Sequence, residues 1–439
     1  MPRRRVQLNA VQTLALGFAA LILLGGVLLA LPVSSRDGRA LPFLDALFTA
    51  ASASCVTGLV LYDTCTQFTL FGQAVILLLI QVGGMGFMTV SILVAVLLHR
   101  RIGLRQRSIL MDSVGALQMG GIVRLTRRAI RVTLTCEGVG AALLALWFCP
   151  RYGLDRGLWM SLFHAVSSFC NAGFDLLGTG ASLTTIAGEP LPNIVLMALV
   201  ICGGLGFLVW DDLLTHGRHV RRWRLHSKIV LFSTTLLFAG GAIAFYFLEK
   251  DHAFAGAGPG RRALMAAFQS VTCRTAGFNP APLTALSQSG TQLTMILMFI
   301  GAGSGSTGGG AKVNTVSVLL LSALAQVRRK EDVNVFRRRL DTATIQKAYS
   351  SVSIFFLACL AGTMVMCLQG ISLDGALFEA ISAVGLTRGV TPYLPELSKL
   401  AVLLMMFAGR VGSMSVAMAV TRDRPQPKLR NIPEKILIG

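Results

Sequence analysis

The chain has 439 residues, 54% hydrophobic and only 14% charged, with a mean hydropathy of +0.67. A soluble domain carries about a quarter charged residues, so an ordinary soluble protein is excluded, and no polar stretch is long enough to hide a separate catalytic domain. The net charge of +20 suggests nucleic acid, but 28 of the 40 Lys and Arg lie in 1–10, 99–131, 215–228, 326–347 and 421–439, against 8 in the alternate connections.

Runs near twenty apolar residues predict membrane helices. The first, 11–32, follows Pro2-Arg3-Arg4-Arg5 and is too long for the roughly 7–15-residue core of a cleaved signal peptide, so it is expected to remain as a span. FTAASASCVTGL (48–59) comes next, then a second run at 70–98 containing GGMGF (83–87). In the basic stretch that follows, 104–131 has apolar residues at helical spacing and reads as a helix at the cytoplasmic surface. A third run at 130–149 precedes FHAVSSFCNAGF (163–174), and a fourth at 190–210 contains GGLGF (203–207). The fifth, 228–248, leads to FQSVTCRTAGF (268–278), and the sixth, 290–325, is interrupted by GAGSGSTGGGAK (301–312). The last two, 343–369 and 398–420, flank FEAISAVGL (378–386), and the final run holds GRVG (409–412).

This order is one unit used four times: span, short helix, glycine turn, span. Four tandem repeats are therefore expected, at 1–98, 99–220, 221–335 and 336–439, making an all-α polytopic membrane protein with eight transmembrane spans. An even span count and the basic loops on one side place both termini in the cytoplasm by the positive-inside asymmetry. A segment of about a dozen residues reaches only halfway through a bilayer. Its returning backbone survives there only if it is buried in protein or lines a watery path. Four such units around a pseudo-fourfold axis meet that condition. Their helix C-termini carry partial negative charge, and rings of backbone carbonyls then replace an ion's hydration water. The competing reading keeps the re-entrant turns as packing elements of a secondary carrier for another cation or a small solute.

CVTGL, NAGF after a serine pair, RTAGFN and GLTRGVTP, with SGSTGGGAKV and the late GRVG, resemble the Trk/Ktr/HKT superfamily of cation transporters over nearly the whole chain. The likeness is greatest to the membrane subunit of bacterial Ktr potassium uptake systems. It implies a potassium-channel-like selectivity filter of backbone oxygens at Val56, Thr57, Gly58, Asn171, Ala172, Gly173, Thr275, Ala276, Gly277, Val384 and Gly385. In the family, glycine at all four filter positions goes with potassium, so the resemblance implies K+ as the transported ion; whether Na+ joins it as a coupling or regulatory ion is left open by the sequence. Asp63 and Asp175 follow their filters and serve either the outer mouth or helix caps. From Phe to filter glycine the first three repeats span 10, 10 and 9 residues but the fourth only 7, which leaves its ligands open. Arg274 matches the family pattern and is expected to brace the filter from behind; Arg388 lies nearby.

The glycine-rich run has no P-loop context, since Ala311 separates Gly310 from Lys312 and Val313 follows. The resemblance implies instead an intramembrane gating loop below the filter, made of Gly303, Ser304, Gly305, Ser306, Thr307, Gly308, Gly309 and Gly310. Glycine costs nearly 1 kcal/mol in a helix relative to alanine, so the run stays unwound, and its hydroxyls can satisfy freed backbone groups. Arg410 holds the position of a pore-facing arginine, and Lys312 either joins it in gating or snorkels to water. The resemblance also implies a homodimer in the bacterial cytoplasmic (inner) membrane, seated on a cytosolic nucleotide-binding regulatory ring subunit of the KtrA/TrkA type. Nucleotide would bind only that partner. The basic loops touch it or membrane lipid; no cofactor is expected in this chain, no enzyme activity and no nucleic acid.

Overall fold

A computed structural model describes residues 10–86, 122–178, 180, 182–387, 389 and 394–412. Helix α1 (Ala10–Ala30) is followed by the short α2 (Phe43–Cys55) and by α3 (Leu70–Met85). The second set is α4 (Ile122–Tyr152), α5 (Leu154–Phe169), α6 (Pro190–Gly204) and α7 (Phe207–His216). The third is α8 (Leu225–Leu248), α9 (Pro259–Thr272), α10 (Gln288–Ile300) and α11 (Val313–Val327). The fourth is α12 (Thr342–Leu368), α13 (Leu373–Gly385) and α14 (Glu396–Val411).

Helix ends follow local chemistry. Proline opens α6 and α9, where its missing N–H leaves no bond unmade. Thr69, Ser287 and Ser372 accept from the N–H groups of Gly72, Gly290 and Gly375 at 3.3, 3.0 and 3.4 Å, satisfying donors that no helical carbonyl reaches. Residues 122–131, the last part of the stretch read as a surface helix, are helical and run without a break into the rest of α4, and 104–121 lie outside the described residues. A small β-hairpin was not expected: Asn334–Val335 pairs antiparallel with Arg338–Arg339.

Four helices, α1, α4, α8 and α12, are each long and apolar enough to cross a membrane, and the pair α6–α7, bent by 95°, makes a fifth if counted as one. Their outer faces are apolar and uncovered: on α8, Leu236, Ile243 and Phe247 are 61–71% exposed. Such a surface suits lipid rather than water. The alternate apolar helices end at glycines. α3, α6, α10 and α14 are each followed within two residues by a glycine of positive φ: Gly86 (83°), Gly206 (96°), Gly301 (69°) and Gly412 (96°).

These glycine-ended helices and the short ones pack in a closed order. α3 lies against α5, α6 against α9, α10 against α13, and α14 against α2. The opening phenylalanine of each repeat, Phe48, Phe163, Phe268 and Phe378, is at most 1% exposed and fixes its short helix in the interior. Helices in lipid associate through close packing and hydrogen bonds, not through hydrophobic transfer. Glycine permits that closeness: a Cβ on Gly83, Gly203 or Gly409 would strike the carbonyl oxygens of Ser54, Phe169 and Val384, respectively.

Polar staples close the order where the fourth set meets the first. Lys399 Nζ lies 2.6 Å from Asp45 Oδ1, and the Tyr62 hydroxyl donates to Asp45 Oδ2 at 2.7 Å. Asp45 is buried in the first turn of α2. Removing one partner of a buried ion pair costs about 3–5 kcal/mol. Lys399→Met is therefore expected to lower the unfolding temperature of the purified protein by roughly 3–5 °C, and adding Asp45→Asn should restore part of the loss. A thermal melt followed by tryptophan fluorescence checks this; an unchanged midpoint in the single variant would dissolve the staple.

Candidate functional site

The four short helices end alike. A left-handed residue follows each: Val56 (φ 61°), Asn171 (φ 58°), Thr275 (φ 80°) and Leu386 (φ 57°). The next N–H then turns back to cap its own helix. Thr57 donates to Ser52 O at 2.8 Å, Ala172 to Ser167 O at 2.7 Å, Ala276 to Thr272 O at 3.0 Å and Thr387 to Ser382 O at 2.9 Å. Three returns continue into a glycine of positive φ: Gly58 (77°), Gly173 (70°) and Gly277 (75°). Left-handed backbone costs about 1–2 kcal/mol for residues other than glycine, so these four bends at buried non-glycine residues are held by their surroundings.

The returns touch one another. A Cβ on Gly58 would lie 2.7 Å from Ala172 O, and one on Gly173 would lie 2.6 Å from Ala276 O. The first return thus abuts the second, and the second the third. Asn171 and Thr275 add a side-chain link of 3.1 Å, with the Asn171 amide nitrogen donating to Ser168 O and Val200 O. Ser167 Oγ and Thr272 Oγ1 donate to Phe174 O at 2.7 Å and Phe278 O at 2.5 Å, bracing the second and third returns.

The fourth return differs from the sequence expectation. Val384 and Gly385 are the last two residues of α13, and the returning chain begins at Leu386 and Thr387. The packing explains the register. Ser54, Phe169 and Val384, each two residues before a left-handed residue, offer equivalent carbonyls to Gly83, Gly203 and Gly409. The helix must run eight residues from Phe378 to reach the meeting point, as it does from Phe48 and Phe163, so a glycine seven residues on is still helical. By the same count, position 388 corresponds to Gly58; Arg388 lies outside the described residues.

Thr57 and Thr387 occupy matching positions, and both hydroxyls are buried without a hydrogen-bond partner among the described residues. Oxygen atoms that are buried and unpartnered, just past the negative ends of helices, form a chemically suitable setting for a dehydrated cation. The two carboxylates expected near the mouth are occupied locally. Asp63 Oδ1 caps a single-turn helix, Thr64–Gln67, accepting from Cys65 N (3.0 Å) and Thr66 N (2.9 Å), while Oδ2 accepts from Gly180 N (2.9 Å). Asp175 is buried and accepts from Leu177 N at 3.3 Å. His164, a buried residue that sequence reasoning missed, joins Met160 O (2.7 Å) to the Leu176 N–H (3.4 Å) and fixes the second return from behind. Its only signal was its place directly after Phe163 in the repeat.

The stretch 301–312 fills the break between α6 and α7. A bent helix leaves carbonyls free on one side and N–H groups on the other, and the loop supplies both complements. Gly303 and Thr307 N–H donate to Gly204 O (2.9 Å) and Gly203 O (3.3 Å), while Gly305 O accepts from Phe207 N (2.9 Å). Thr307 Oγ1 donates to Phe169 O at 3.1 Å, Ser306 Oγ to Gly303 O at 2.6 Å and Ser304 Oγ to Asn314 Oδ1 at 2.7 Å. Gly308 and Gly309 press so close to Thr275 and Leu386 that a Cβ on either would collide. Lys312 does not reach for water; its Nζ folds back to Gly308 O (2.5 Å) and Gly309 O (3.4 Å).

Arg410 completes the enclosure. One guanidinium nitrogen donates to Thr307 O, and the other to Gly83 O and to Gly84 O, the latter at 2.8 Å. It therefore ties the loop to the freed carbonyls at the end of α3. Arg274, 3% exposed, braces the loop's first residue more than the filter: Nε and Nη2 donate to Gly301 O at 3.2 and 3.0 Å, and the group lies 4.6 Å from the Phe238 ring.

Long helices with lipid-suited faces, surrounding broken helices that meet inside, define a membrane transport protein. The model of the TrkH family, cation transport proteins, matches residues 11–432, and the chain belongs to that family. It is similar to the potassium/sodium uptake protein NtpJ of Enterococcus hirae, 38% identical over 100% of this chain and 99% of that one. It is 37% identical to the Ktr system potassium uptake protein B of Bacillus subtilis, over 99% and 98% of the two chains. The Ktr system potassium uptake protein B of Vibrio alginolyticus is 36% identical over 96% and 93%. The fold matches that of the potassium transporter TrkH from Vibrio parahaemolyticus with a TM-score of 0.76, at 17% identity, covering 96% of this chain and 86% of that one.

Proposed function

We propose that this protein takes up potassium as the translocating subunit of a Ktr/Trk-type system. Eight spans in four repeats would surround a pseudo-fourfold pore in the cytoplasmic membrane, with both termini inside. Backbone oxygens at 56–58, 171–173, 275–277 and 386–387 would form the filter, and the loop 303–310 would obstruct the path below it. One observation supports this reading above the others. A single loop is linked to the inner ends of all four repeats: directly to Phe169 and Gly203 through Thr307, to Thr275 through Gly308 and to Leu386 through Gly309, and by the Arg410 bridge from Thr307 to Gly83 and Gly84. A segment merely packing a carrier has no reason to contact every repeat at one point. The homodimer and the cytosolic nucleotide-binding ring belong to the same proposal, with the basic inner segments as the contact surface.

The register of the fourth return bears on selectivity. With Leu386 and Thr387 in the strand, three repeats rather than four contribute a glycine at the third filter position. Sodium should therefore be discriminated against less sharply than in a filter with four glycines, in keeping with the name of one relative, a potassium/sodium uptake protein. Rubidium uptake into vesicles holding the purified protein tests both points. Potassium should compete fully and sodium about tenfold less effectively, whereas organic solutes should not compete. Competition by an organic solute, or no rubidium uptake with any partner subunit added, would remove the reading.

A further inference from the structure

A cleft of about 460 Å³ opens beside the amino-terminal half of α5, lined by Arg36, Gln73, Asp155, Arg156 and Trp159 over a floor that includes Met160. We propose that it binds the headgroup of a phosphatidylethanolamine molecule from the surrounding bilayer. The cleft lies where helices end and the membrane interface is expected: α1 stops at Ala30, α3 starts at Leu70, and α4 gives way to α5 at Gly153.

Its charged groups match a zwitterion. Arg36, Asp155 and Arg156 are exposed, and none forms an ion pair among the described residues. Arg36 and Arg156 both hold onto the segment around Thr64–Gln67: Arg36 Nε donates to Phe68 O at 3.2 Å, and Arg156 Nη2 lies 3.9 Å from Cys65 Sγ. Each keeps further N–H donors free among the described residues, and guanidinium is the side chain best matched to a phosphodiester. Asp155, adjacent to Arg156, supplies a carboxylate that would repel an anionic headgroup but would accept the N–H donors of an ethanolammonium. Two cations and one anion fit one phosphate and one ammonium.

The wall is built in advance. Trp159 Nε1 donates to Gln73 Oε1 at 2.9 Å, and Gln73 Nε2 donates to Phe68 O at 3.1 Å, so neither rotates on binding. The acyl chains also have a place. Leu70, Leu154 and Leu158 beside the cleft are 65, 68 and 50% exposed, a continuous apolar edge for hydrocarbon. Tyr152 beneath Arg156, 5.6 Å from its guanidinium, and Trp159 add the aromatic character of a membrane interface.

Native mass spectrometry of the full-length protein, titrated separately with phosphatidylethanolamine, phosphatidylglycerol and phosphatidylcholine, tests the assignment. The wild type should retain phosphatidylethanolamine about tenfold better than either other lipid. The double variant Arg36→Gln/Arg156→Gln should lose that retention by at least about tenfold. Asp155→Asn should still bind, but no longer distinguish ethanolamine from choline. Because all three side chains are exposed, the variants should fold, and an unchanged thermal midpoint verifies it. Equal retention by wild type and the double variant, or phosphatidylglycerol binding at least as tightly as phosphatidylethanolamine, would overturn the proposal.

Discussion

Gly173→Ala should stop rubidium uptake in reconstituted vesicles, by at least about a hundredfold, while the protein still folds. Two independent costs meet at this residue. Its φ of 70° is a conformation that L side chains resist, which alone gives only a modest loss of stability. The second cost is spatial. The new Cβ would lie 2.6 Å from Ala276 O and 2.9 Å from Gly277 Cα, closer than real Cβ contacts come. Both are backbone atoms of the neighbouring return, so no side chain can move aside. Either the second return backs away, or the Ala276 carbonyl turns out of the meeting point. In the proposed filter, where several oxygens at once would balance ion dehydration, each removes one of them. Gly153→Ala provides the control: its φ is 83°, but no atom lies within 4 Å of the added Cβ. With ψ at 164° that residue sits in a region kept almost wholly for glycine, so the variant should be strained in its backbone and still transport normally. Wild-type uptake by Gly173→Ala would remove the second return from the conduction path.

Much of the architecture was legible because membrane helices announce themselves by length and apolarity. The runs at 11–32, 228–248 and 343–369 correspond to α1, α8 and α12 within three residues at each end. The first three returns were legible as well, since glycine supplies the positive φ at Gly58, Gly173 and Gly277. The fourth misled for the same reason. Gly385 resembles those glycines in sequence, but the chain makes its left-handed turn with Leu386, held by tertiary packing rather than by propensity. Of the two readings of Asp63, its neighbours display the capping one: the carboxylate accepts from three N–H groups, two of them in the single-turn helix that it opens. The loop's anchoring was the least readable feature. Arg410, Lys312 and Arg274 all bond backbone carbonyls, and a carbonyl leaves no trace in the amino-acid letters. Only the cost of a charge in an apolar segment signalled that each needed a partner.

Arg410→Ala should raise rubidium flux about tenfold or more, the opposite sign from the glycine variant. The guanidinium donates to Thr307 O on the loop and to Gly83 O and Gly84 O at the end of α3. Hydrogen bonds to a charged donor contribute about 1.5–3 kcal/mol each. Losing the one to Thr307 releases the loop from the first repeat, and a shift of about 1.4 kcal/mol in its position is tenfold in population. The positive charge near the path disappears at the same time, which also favours cations. Arg410→Lys separates the two contributions. An ammonium keeps the charge but cannot span the carbonyls of Thr307 and Gly84 as a planar fork does. If the clamp dominates, the lysine variant conducts nearly as well as the alanine one; if repulsion dominates, it stays close to wild type. Shortening 303–309 should raise flux by a third route, since the loop then cannot reach both Gly204 O and Leu386. Unchanged flux in both the alanine and the shortened variants would mean that this loop is not what holds ions back.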